Sequence, residues 1–126
     1  MIERFLTLTA IIEAATGLAL IAMPTIVVRL LLGAEISGAS IPLGRVAGAA
    51  LLALGVACWL ARDDTQSRTA RGLVVTMLMY NIVATAVLAF AGIDLGLHGV
   101  ALWPAVVLHA VMATWCIVCL RRSPSM

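Results

Sequence analysis

The chain has 126 residues, of which 63% are hydrophobic and only 11% charged, and its mean hydropathy is +1.15. A soluble domain is roughly 45–50% apolar and about 25% charged, so this composition excludes a water-soluble fold and, at this length, a soluble enzyme with an anchor. The net charge of +2 is small, and the arginines are scattered, giving no continuous basic stripe for nucleic acid.

Taken in chain order, the first apolar run extends from Phe5 to Met23 and stops at Pro24, which lacks an amide proton and disfavours helix at the residue before it. The next stretch, TIVVRLLL from Thr25 to Leu32, is apolar but too short to cross a bilayer. With Pro24 in its first turn and Gly33 as its stop, it reads as a short interfacial helix over about 24–32. The alternative is one long helix kinked at Pro24. A small-residue loop, GAEISGAS, leads into the second run, Pro42 to Ala61. The segment RDDTQSRTAR, from Arg62 to Arg71, is the most hydrophilic in the chain. The third run is Gly72 to Ala91 and the fourth about Val100 to Leu120, with the turn GIDLGLHG between them.

None of the four runs alternates as barrel strands do, and each has about the 20 residues that a membrane helix needs. Helices satisfy their own backbone hydrogen bonds in lipid. The expected fold is therefore all-α: an integral membrane four-helix bundle with a short interfacial helix after the first span, forming a single transmembrane domain over 1–126. Glu13 interrupts the first run and no small-residue cleavage site follows, so no cleaved signal peptide is expected.

All eight basic residues are arginine. Arg4, Arg62, Arg68, Arg71, Arg121 and Arg122 fall on one side of the expected bundle, against Arg29 and Arg45 on the other. The positive-inside rule then places both termini in the cytoplasm, with Trp59 and Trp115 at the inner interface and Trp103 at the outer one.

Depth follows from position along each helix. Glu13, Tyr80, Asn81 and His109 lie near the middle of the first, third and fourth spans, and Arg45 lies in the outer third of the second. An ionised glutamate at the bilayer centre is costly, so Glu13 should face the interior and either pair or stay protonated. Its neighbours on the same face are Thr9, Thr16 and Gly17. Glu13, Arg45, Tyr80, Asn81 and His109 are accordingly the candidate binding residues, for a ligand or for protons. The competing reading is that they only hold the helices in register. Arg45 has two options, pointing down toward Glu13 or snorkelling to the outer headgroups.

Gly44, Gly48 and Gly55 mark a close-packing face on the second span, against another helix of the chain or a second copy of it. Cys58, Cys116 and Cys119 gather toward the inner end. They could form a redox or soft-metal site, but read more simply as small buried apolar residues. Haem ligation through His109 would need a second histidine at matching depth, and His98 lies in the outer loop. No phosphate-binding glycine loop, base-paired serine nucleophile or zinc spacing is present, so no catalytic residue and no metal ligand is expected.

Two family resemblances bear on function. The acidic residue in the first span, Glu13 in IIEAATGLAL, resembles the layout of small multidrug resistance transporters, which implies a proton-coupled transporter of cationic substrates. The chain lacks that family's aromatic and glycine signature in its third span, and Arg45 and His109 have no counterpart there. A broader layout resembles the DoxX-like group of small four-helix bacterial membrane proteins: a proline-broken first helix before PTIVVRLLLG, then an arginine opening a glycine-rich helix, LGRVAGAALLALG. That resemblance implies a bacterial inner-membrane accessory subunit, in some relatives beside quinone-linked oxidoreductases. The leading expectation is a non-catalytic bundle that binds a lipophilic ligand such as a quinone or lipid, or docks a membrane partner or a second copy. Proton-coupled transport through Glu13 and a purely structural subunit are the alternatives.

Overall fold

In the computed structural model every regular element among the described residues, 1–122, is an α-helix; residues 123–126 lie outside them. The five helices are α1 (Ile2–Ala22), α2 (Pro24–Leu32), α3 (Ser40–Ala61), α4 (Arg68–Ile93) and α5 (Leu102–Arg122). Four of them, all but α2, are long and apolar enough to cross a membrane. The expected short helix over 24–32 is present, and the chain breaks at Met23, whose φ of −137° and ψ of 60° are not helical. The single kinked helix is therefore not formed. The amide of Met23 still donates to Ala19, and that of Val27 to Met23, so the break costs little hydrogen bonding.

The helix ends differ from the apolar runs by a few residues, for local reasons. Helix α4 begins four residues before the apolar run because Ser67 caps it, its hydroxyl accepting from the Ala70 amide at 3.1 Å, as a serine N-cap does. At 26 residues it is about 39 Å long, given about 1.5 Å of rise per residue. Pro24, Pro42 and Pro104 each sit within the first turn of their helices, where a missing amide proton leaves no bond unmade. Gly33 ends α2 at φ 69°, a left-handed conformation natural to glycine.

The long helices pack as two pairs, α1 on α3 and α4 on α5. Glycine sets the first pairing. A Cβ on Gly48 would lie 2.6 Å from the Gly17 carbonyl oxygen, and one on Gly55 2.9 Å from the Ala14 amide nitrogen. The two backbones thus touch directly. Gly44 faces the Pro24 ring instead, so all three glycines of α3 pack within the chain.

The pairs join at the end that carries the N-terminus, the α3–α4 connection and the last turn of α5. There Phe5, Leu6, Cys58, Val74, Met77 and Cys116 form a fully buried core, and Phe5 meets Trp115 edge-on at 5.7 Å. At the opposite end the pairs splay apart and α2 lies across the gap. Helix α2 is tied to the start of α5 by the Ala101 amide, which donates to Leu30 at 2.9 Å, and Gly99 lets the backbones meet because any Cβ there would collide with Leu31.

Candidate functional site

The splayed half encloses a cavity of about 500 Å³. Its walls are apolar: Ile12 and Leu20 from α1, Val87 and Leu88 from α4, Ala105 and Leu108 from α5, with Leu51 of α3. Helix α2 closes it with Val27, Val28, Leu30 and Leu31. Polar groups collect only at its deep end, where Glu13, Thr16, Tyr80 and His109 reach it. A cavity of this size, mostly apolar with a few convergent polar groups, is the general form of a small-molecule site.

Glu13 is 4% exposed, although it lies in the middle of an apolar helix. Its carboxyl and the Tyr80 phenol face one another at the deep end of the cavity. The Tyr80 ring meets the His109 ring edge-on, centroids 5.5 Å apart at 84°. Behind His109 sits Asn81, 1% exposed. Its Oδ1 lies 2.8 Å from His109 Nδ1, and its amide nitrogen donates to the Met77 carbonyl at 2.7 Å. Asn81 does not line the cavity; it holds the residue that does. Thr85 donates to the Asn81 carbonyl at 2.7 Å, so α4 is internally bonded along this face.

Four of the five candidate binding residues are thus gathered at one depth on three helices. Arg45 is not among them. It is exposed on α3, and Leu51, through which α3 reaches the cavity, lies about 120° away from it around the helix axis, at about 100° per residue. The face around Glu13 divides between two tasks: Thr16 borders the cavity, whereas Gly17 is committed to α3. Thr9, one turn before, is buried, and its hydroxyl has no hydrogen-bond partner among the described residues. The cysteines are buried in the closed half, away from the cavity. The contribution of α2 was not visible in the sequence, although the apolar face that TIVVRLLL presents was the available signal.

No protein-family model, curated protein or solved structure matches the chain. Its function rests on the geometry of this site.

Proposed function

We propose that the chain is an integral membrane protein of the bacterial inner membrane, crossing the bilayer four times, and that it binds a lipophilic molecule of quinone or lipid type with a polar head in the cavity between its helix pairs. The observation that carries this reading is the cavity itself: apolar walls, a lid made by α2, and polar groups only at the deep end. A molecule of that polarity pattern would place its head against Glu13, Tyr80 and His109 and its apolar body against Leu20, Leu31 and Val87.

The membrane setting is supported by what the helices expose. Leu43, Val46, Leu60, Ile82, Val83, Val107 and Val111, among other large apolar residues, are each at least half exposed on different helices. Soluble monomers rarely show contiguous apolar surface on that scale, whereas lipid is a suitable solvent for it.

The test is to purify the protein from native membranes and analyse the solvent extract by mass spectrometry. A lipophilic compound should accompany the wild-type protein in near-stoichiometric amount. It should fall at least about fivefold in Ala84→Phe, which fills the cavity from α4, because loss of one good contact set is worth a factor of that order. A wild-type extract holding only the lipids that surround any membrane protein would end the proposal.

A further inference from the structure

The amide of Asn81 fixes which atoms the site offers to a ligand. One of its terminal atoms lies 2.7 Å from the Met77 carbonyl oxygen. A carbonyl can only accept, so that atom is the nitrogen, and the amide cannot be turned round. The other terminal atom is the oxygen, and it lies 2.8 Å from Nδ1 of His109. An amide oxygen has no proton to give, so Nδ1 must carry one. A ring with a single proton therefore holds it on Nδ1 and has a bare lone pair at Nε2. His109 borders the cavity, and Nε2 has no hydrogen-bond partner among the described residues.

The other polar groups that reach the cavity leave this lone pair free. Tyr80 has one proton, and its hydroxyl faces the Glu13 carboxyl. The Glu13 carboxyl keeps acceptor positions whether or not it carries a proton. The donor of Asn81 is in use at the Met77 carbonyl, and Thr16, which also borders the cavity, can accept as well as donate, so the one polar atom there that can only accept from a ligand is Nε2 of His109.

Resting on the ligand-binding reading above, we infer that the cavity selects lipophilic molecules that bear a hydroxyl donor over molecules of the same shape whose oxygen can only accept. Phenols, hydroquinones and long-chain alcohols belong to the first class; ethers, ketones and oxidised quinones belong to the second, so the quinone-type ligand proposed above narrows to its reduced, hydroxyl-bearing form. The ligand hydroxyl donates to His109 Nε2. Asn81 acts as a positioning residue, setting the tautomer from behind without touching the ligand. An acceptor-only oxygen placed there meets a lone pair instead of a proton, and a buried polar group without its partner is costly.

Two matched pairs of probes test this: para-hexylphenol with para-hexylanisole, and n-decanol with its methyl ether. Each is equilibrated by dialysis with the protein in lipid nanodiscs, and empty nanodiscs correct for partition into lipid. The hydroxyl member of at least one pair should be retained at least about tenfold more strongly, the scale of one good hydrogen bond to a buried partner, and the pair that shows this tells whether the site takes an aromatic or an aliphatic hydroxyl. Equal retention within both pairs overturns the inference and leaves the ligand-binding reading in place. If the cavity binds no probe of either pair, both fall together. Ring-nitrogen NMR of His98→Gln protein, in which His109 is the one remaining histidine, should find the proton on Nδ1 in the empty site. In Asn81→Leu that preference should disappear, and with it the discrimination between phenol and ether. A proton on Nε2 in the unliganded protein with Asn81 intact would overturn the inference without any probe.

Discussion

At the scale of single residues, the polar groups of this apolar chain separate into those that hold helices and those that face the cavity. Asn81 belongs to the first kind: its amide joins the backbone of α4 to a side chain of α5 through bonds of 2.7 and 2.8 Å. Tyr80 and Glu13 belong to the second, since both border the cavity. Substitutions should therefore separate stability from binding. Interhelical hydrogen bonds in membranes contribute about 0.6 kcal/mol on average and up to about 1.7. Asn81→Leu should accordingly lower the free energy of unfolding by about 1 kcal/mol, measured by reversible unfolding in mixed detergent and SDS micelles. Tyr80→Phe keeps the edge-on contact with His109 and should cost less than half as much. If the two substitutions were equally destabilising, Tyr80 would be as structural as Asn81. Sequence reasoning reached this group because position along a helix converts directly into depth. It could not tell lining from support, because Tyr80 and Asn81 are adjacent in the chain and differ only in the direction of their side chains.

At the scale of elements, the pairing of α1 with α3 rests on absent side chains. Gly17 and Gly48 approach so closely that a methyl group on either would meet backbone rather than a flexible side chain. Backbone cannot yield without parting the helices, and helix association in lipid depends on this close packing rather than on the hydrophobic effect. Gly48→Ala should therefore destabilise the protein by about 2 kcal/mol, in the range of overpacked cores. Gly72 makes the comparison clean. It lies in α4 with nothing within 4 Å of the position a Cβ would take, so Gly72→Ala should be neutral or stabilising by up to about 1 kcal/mol through helix propensity. Both effects are readable from the same unfolding assay, and a harmless Gly48→Ala would mean that the two backbones are farther apart than described. The spacing of Gly44 and Gly48 was visible in the sequence, but its partner was not. A small-residue face accepts any neighbouring backbone, and only the fold shows that Gly48 meets α1 while Gly44 meets the Pro24 ring. The helix boundaries shifted for a similar reason, because Ser67 sets the start of α4 by capping rather than by hydropathy.

At the scale of the whole molecule, the chain has one closed half and one open half. The closed half is filled by Phe5, Leu6, Val74 and Met77, large side chains that bring the two helix pairs together. In the open half the residues facing across the gap include Ala84, Ala101 and Ala105, too small to fill it. That division was latent in the sequence, yet it depends on which helices pair, and four apolar helices of similar hydropathy do not announce their partners. Orientation is a separate matter, because it was argued entirely from charge. Six arginines lie at the closed end, and Arg29 and Arg45 lie toward the open one, so the proposed topology puts the closed end in the cytoplasm and the α2-covered end of the cavity outside. Gln66 in the α3–α4 connection and Asp94 after α4 are both exposed and lie at opposite ends. Neither is an arginine, so replacing them leaves the arginine balance untouched, and the three native cysteines are buried and should give little background. With a membrane-impermeant maleimide, Asp94→Cys should be labelled in intact cells and Gln66→Cys only after the membrane is opened. The reverse pattern would mean that the six arginines face outward and that the α2-covered end of the cavity faces the cytoplasm. Labelling of both in intact cells would mean that the four long helices do not hold a single orientation across the membrane.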